Sequence, residues 1–401
     1  MDPRHLLRTS TGRAVAIAVG LLVLGVAAGL AILWPRGDAN VRQTQPITGL
    51  ATAEVLSVTG GGCETYAGPG CRVARIELQS GPEEGRRSFV TMPGGQATPA
   101  LSSGDRIRVV RNAPSEVGQG GAPRLDDPAA QAFAFYDFER RLPLLWLAVA
   151  FGALVVVLGR LHGVRALLGL GISLAIVIEF IVPAMLHGRP TLAVALIGSL
   201  AAMLVTMTLS HGLGLKSAAA MLGTAAALIL TVLLAIGAVE IAHITGLSSE
   251  EATYVQLTAD RRLSIQGLVI AGIVIATLGV LDDVTISQSS TVLALRRANP
   301  SLPFVRLFNE ALSVGRDHLT AAVNTLVLAY AGASLTVLLI FSTDQTPFDE
   351  AVNREPVAEQ IVAMLVGSTG LIAAVPLTTA LAALLVSHLP PAVLPEDEHV
   401  H

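Results

Sequence analysis

A chain of 401 residues with a formal net charge of -4, 52% hydrophobic side chains and 14% charged ones departs from a soluble domain, in which about 25% of residues are charged. Its mean hydropathy is +0.64, and its charges crowd into a few segments separated by apolar runs near the ~20 residues of a membrane-spanning helix. This argues against a soluble enzyme, and no basic cluster with interleaved aromatic residues points to nucleic acid. The chain reads as an α-helical polytopic membrane protein.

Residues 1–13 carry Arg4, Arg8 and Arg13 and read as a cytoplasmic N-terminus. Ala14–Trp34 is an unbroken apolar run, longer than the roughly 7–15 residues of a cleaved signal core, so an uncleaved anchor over 14–34 is expected. Within it, Gly25 and Gly29 form a close-packing pattern for membrane helices. Residues 35–141 change to Gly, Pro, Arg and Thr, with short alternating runs. In Arg72–Gln79 the residues Ala74, Ile76 and Leu78 share one face, and in Asp105–Arg111 so do Ile107 and Val109. Period-two alternation bounded by turn residues predicts strands, hence a small β domain at about 45–112, a meander or partial barrel, followed by a linker at 113–130. Cys63 and Cys71, the two cysteines of the chain, bracket a turn-prone loop there. A structural disulfide on the exported side is expected; metal ligation is the rival reading, but no histidine accompanies the pair.

The aromatic cluster Phe133–Phe138, with Trp146, reads as an interfacial belt. Spans then follow at about 142–158, 164–186, 191–209, 217–239, 264–282, 318–342 and 361–386, about eight helices with the anchor. The seven later spans form a transmembrane domain over 142–390, with an external loop at 240–262, a cytoplasmic hairpin at 283–317 and a cytoplasmic tail at 391–401. Arg160, Arg165, Lys216, Arg296, Arg297, Arg306 and Arg316 fall on one side and the acidic loop 343–360 on the other. This positive-inside bias places both termini in the cytoplasm and residues 35–141 outside.

Ionisable residues inside or at the edge of a bilayer are costly and mark functional candidates. Asp282 and Asp283 are expected to end the sixth helix, and Arg316, Asp317 and His318 to begin the seventh, all at the cytoplasmic boundary. Between them Val284–Leu295 is amphipathic, Asn299-Pro300-Ser301 marks a turn, and Ser301 can cap the next helix. Asn324 lies further along the seventh span and Glu179 in the third, four residues before Pro183. Pro376 is expected to break the eighth helix and free backbone groups at membrane depth. Asp317 beside His318 could carry protons, and Asp282, Asp283, Asp317 and His318 could in principle hold a divalent metal, although their spacing is not diagnostic. No phosphate-binding Gly-rich loop, His-Glu-x-x-His, Gly-x-Ser-x-Gly or Cys-x-x-Cys is present, so neither a nucleotide nor a familiar catalytic centre is expected.

Leu278-Gly279-Val280-Leu281-Asp282-Asp283-Val284-Thr285-Ile286-Ser287-Gln288, together with Gly315-Arg316-Asp317-His318 continuing through Asn324 to Ala333, resembles the YibE/F family of bacterial multi-pass membrane proteins. The likeness covers roughly 140–390 and is looser over the preceding β domain. It implies a bacterial plasma-membrane location and singles out Asp282, Asp283, Arg316, Asp317, His318 and Asn324 as motif residues, without assigning them chemistry. The functional expectation is a secondary transporter or permease in which Asp282, Asp283 and Asp317 bind a cation or proton. In that reading His318 relays protons, Arg316 gates the site and Asn324 lines the path. The alternatives are an envelope assembly factor whose β domain binds a protein partner, and a membrane-embedded metal-dependent hydrolase. The bilayer and a small solute or ion are the expected partners, with room for a homo-oligomer and none for nucleic acid.

Overall fold

Alternating apolar residues build the smaller of two units into which the chain divides, residues 43–154 against residues 1–42 with 155–401. The computed structural model describes residues 10–37, 49–61, 69–95, 98–111, 133–258, 263–343 and 346–388. Residues 1–9, Cys63, the linker at 113–130 and the tail at 391–401 lie outside the described residues, so the disulfide remains an expectation; Cys71 is buried just before the second strand.

The strands are β1 (Leu50–Gly60), β2 (Arg72–Leu78), β3 (Arg87–Met92), β4 (Arg106–Arg111) and β5 (Phe133–Phe138). They form one antiparallel sheet in the order β3-β2-β1-β4-β5. Ala53, Val55, Ala74, Ile76, Val90, Ile107 and Val109 are each at most 1% exposed and form its inner face. The two end strands, β3 and β5, approach each other, so the sheet curls and its edges are partly protected. The expected strands at 72–79 and 105–111 are present. Phe133–Phe138 is a correction: it pairs with β4 as the fifth strand rather than forming a membrane-interface belt, because alternation puts Phe133 in the sheet core.

The helices of the larger unit are α1 (Ser10–Leu33), α2 (Arg141–Ile176, beginning in the smaller unit), α3 (Val182–Leu186), α4 (Thr191–His211), α5 (Leu215–Ile241), α6 (Glu250–Thr258), α7 (Ile265–Ala298), α8 (Phe304–Ala333), α9 (Leu335–Thr343), α10 (Phe348–Asn353) and α11 (Glu355–Ser387). By length and composition six helical stretches among the described residues can cross a membrane, or seven if α8 and α9, bent by 56°, make one span. The stretch Arg141–Leu186 has 46 residues, about 70 Å at the helical rise and more than twice the ~30 Å hydrocarbon core. It is interrupted at Arg160, whose φ of 49° and ψ of -129° are not helical. There the chain turns back so tightly that a Cβ on Gly163 would lie 2.2 Å from the Val155 carbonyl oxygen.

Three further expectations are corrected. The sixth span does not end at Asp282–Asp283: α7 runs on to Ala298, since no Gly or Pro interrupts 283–298 and Asn299-Pro300 is the first stop signal. Ser301 does not cap the next helix. Pro303 holds that position, and Ser301 instead bonds the Asn299 side chain through its amide and hydroxyl. Pro376 does not break α11, which continues through it to Ser387. The bend lies instead after Gly332-Ala333, where Ser334 donates its hydroxyl to the Tyr330 carbonyl, a Gly/Ser kink. Pro183 acts earlier in the chain: it cannot donate to the Glu179 carbonyl, and a π turn at Val177–Ile181 takes up the extra residue just before it.

Glycine and threonine key the long helices together. On α5, Gly223 faces Thr378 of α11 and Thr231 faces Gly370, with gaps in which an added Cβ would lie 2.2 and 2.1 Å from the threonine hydroxyls. In lipid, where apolar surface alone does not drive association, such close approach is what holds helices together. Of the α1 pair, Gly29 abuts Ile197 of α4 while Gly25 has nothing within 4 Å. Gly223→Val and Gly370→Val should therefore each lower the thermal midpoint of detergent-purified protein, by about 1–3 kcal/mol of overpacking or more, whereas Gly25→Val should leave it unchanged.

Candidate ion-binding site

The polar side chains of α7 point inward. Thr285 and Ser289 are 0% exposed and Gln288 is 3% exposed, so the polar side of this amphipathic segment is packed on the bundle. Two of the three have a partner there. Thr285 shares a hydrogen bond of 2.7 Å with Thr224 of α5. Gln288 donates its amide to the Ala311 carbonyl of α8 at 2.7 Å and fills the space over Gly315, where an added Cβ would lie 2.6 Å from Oε1. The Ser289 hydroxyl is buried without a partner among the described residues, as are Ser368 and Thr378 of α11.

Asp282 lies one turn before this row, in the middle of α7, and is half-buried. Its Oδ2 accepts a hydrogen bond from the Thr206 hydroxyl of α4 at 3.2 Å. Its Oδ1 is buried without a partner among the described residues. The Thr206 hydroxyl also lies 2.9 Å from the Ala202 carbonyl and 3.0 Å from the Met203 carbonyl. One hydroxyl hydrogen serves three acceptors, so the carboxylate is at best half-satisfied and sits in an oxygen-rich corner. Gly169 of α2 closes that corner against Thr206, and the Ser173 hydroxyl, one turn on, is likewise buried without a partner. Oxygen donors of this kind suit a proton or a hard cation.

The other expected site residues are elsewhere. Asp283 is exposed on the opposite side of α7 from Leu281 and Val284. Arg316, Asp317, His318 and Asn324 are exposed on α8, in mid-helix and not at its start. Glu179 is exposed on the π turn. Among the described residues no group of three or more His, Cys, Asp and Glu side chains could hold a metal ion, so the expected set of Asp282, Asp283, Asp317 and His318 is not assembled. Thr206, the donor to Asp282 among the described residues, carries no signal in the sequence, where it is one of several hydroxyl residues in the apolar run of α4.

Residues 147–388, more than half of the chain, match the family of YibE/F-like proteins. The chain belongs to the YibE/F family. The matched segment of this YibE/F protein takes in α4, α5, α7, α8 and α11, hence Asp282 and its surroundings, and leaves the curled sheet outside. No curated protein and no solved structure matches the chain. Family membership and the apolar helices make it a multi-pass membrane protein.

A buried carboxylate with one bare oxygen opposes folding. Asp282→Asn, which keeps the shape and removes the charge, should hold or raise the thermal midpoint, by up to about 3 kcal/mol. A clear fall in midpoint would instead make the carboxylate a structural strut.

Proposed function

We propose that this YibE/F protein is a secondary transporter or permease of the bacterial plasma membrane, coupled to a proton or monovalent cation that binds Asp282. The observation that carries the reading is the half-paired carboxylate in the middle of α7, bonded by the Thr206 hydroxyl of α4 through one oxygen and without a partner among the described residues at the other. An ionisable group at that depth is expensive unless it is used. The break at Arg160 divides the 46-residue stretch into two lengths, and with the bent pair this gives eight spans. The positive-inside bias then puts both termini in the cytoplasm and the sheet outside. Asp282 acts as a single-carboxylate site, with one negative charge to be neutralised by one proton or one monovalent cation.

The test is the thermal midpoint of purified protein across Na⁺, Li⁺ and K⁺ and across pH, beside Asp282→Asn and Asp283→Asn. A ligand of the native state raises stability by about 2.7 kcal/mol at a hundredfold excess over Kd. Wild type and Asp283→Asn should respond to one cation, or to pH alone if the proton is the ligand, and Asp282→Asn should not. A wild type insensitive to every cation and to pH would overturn the reading.

An envelope factor working through the external sheet is the second reading, favoured by the sheet's separate core and by the exposed Phe89 and Tyr136 on its outer face. A photo-crosslinker at Phe89 of the full chain should capture one discrete envelope protein in cells if this holds, and none otherwise.

A further inference from the structure

The outer face of α8 carries a long polar stripe, of which Asp317, Thr320 and Asn324 lie deepest. Arg306, Glu310, Ser313, Asp317, Thr320 and Asn324 follow one another at intervals of four, three, four, three and four residues, and all are exposed. That 3.5-residue repeat is the spacing of a seam between two helices. The opposite face is already taken: Leu307, Ala311, Gly315 and Leu326 are buried against the bundle. Arg316 and His318 flank the seam, and among the described residues the side chains of Arg316, Asp317, His318 and Asn324 make no hydrogen bond or ion pair.

Depth makes this face costly. Gly367 lies between Leu326 and Thr277, so Leu326 packs about 18 Å along α7 and α11 from their first residues at the helical rise. Asn324, half a turn away, is therefore well inside the bundle with its amide turned outward. Bare amide and charged groups do not face lipid without a strong penalty. Leu142–Leu158, the apolar first part of α2, contains no charged or amide side chain that could complement the stripe.

We propose that a second copy of this chain covers the seam, in a parallel two-fold pair of α8 helices. In such a pair equal heights meet, so each height must complement itself. The seam does. Arg316 and Asp317 are adjacent, about 1.5 Å apart in height, so each Asp317 faces the partner's Arg316. Arg306 and Glu310 are one turn apart and reach across in the same way. Asn324 meets its own copy, and a self-paired asparagine is a known means of setting register and copy number. Interhelical polar contacts of this kind hold membrane helices together. A seam of one sign, or an apolar one, would carry no such preference.

The experiment is oxidative cross-linking in native membranes. Thr320→Cys and Asn324→Cys should give a covalent species of twice the chain mass, whereas Leu326→Cys on the packed face and the wild-type chain should not. Arg316→Asp should reduce the Thr320→Cys cross-link by about tenfold, the effect of losing an interhelical polar contact of usual strength. Adding Asp317→Arg should restore it, because every height again carries both signs; rescue excludes a mere folding defect in the single variant. Native mass measurement of the purified wild-type chain should show a dimer. A monomer with no cross-link at either seam position, a cross-link to a different protein, or failure of the double swap to rescue would each overturn the proposal.

Discussion

The constraint on which this structure depends is the absence of water beside its helices. In the hydrocarbon layer a polar group must find its partner within the protein, and apolar side chains gain little by leaving lipid for one another. Both facts act on the same contacts. Thr231 and Thr378 seat against Gly370 and Gly223, and Thr285 bonds Thr224, so hydroxyls that would be costly in lipid are spent inside close helix crossings. The bundle of α5, α7 and α11 combines these small residues and hydroxyls with a core of larger apolar side chains such as Leu228, Leu281 and Leu371.

Against that background two placements of ionisable groups stand out. Among the described residues Asp282 has one oxygen bonded and one without a partner, and α8 presents charges and an amide away from the bundle. In the interior, an unpaired oxygen is a place for an ion or proton. On the outer face, unpaired groups of both signs are a place for another helix. The same desolvation cost thus yields two different readings, separated by which way the side chains point.

The curled sheet is organised by the opposite rule. In water its alternating strands bury Ile76, Val90, Ile107 and Val109 on one side and leave Arg75, Arg87 and Arg106 on the other, and the curl of β3 toward β5 protects edges that would otherwise be open to pairing. Its helical and sheet parts therefore answer to different solvents within one chain.

The apolar runs, the anchor, the two clearest strands and the family were legible in the sequence, because hydropathy and period are local properties of the chain. Helix ends were less so: the charges at Asp282–Asp283 looked like a boundary, whereas helix continuation depends only on the backbone, which nothing interrupts before Asn299. Likewise Pro376 removes one hydrogen bond, too little to break a helix held by its neighbours along most of its length. Sequence also singled out polar residues on α7 and α8 but grouped them as one site. Only the tertiary structure separated them, since whether a side chain on a helix faces inward or outward is decided by which neighbours pack on it. It turned Thr285 and Gln288 inward, Asp317 and Asn324 outward, and brought Thr206 from a distant helix to Asp282.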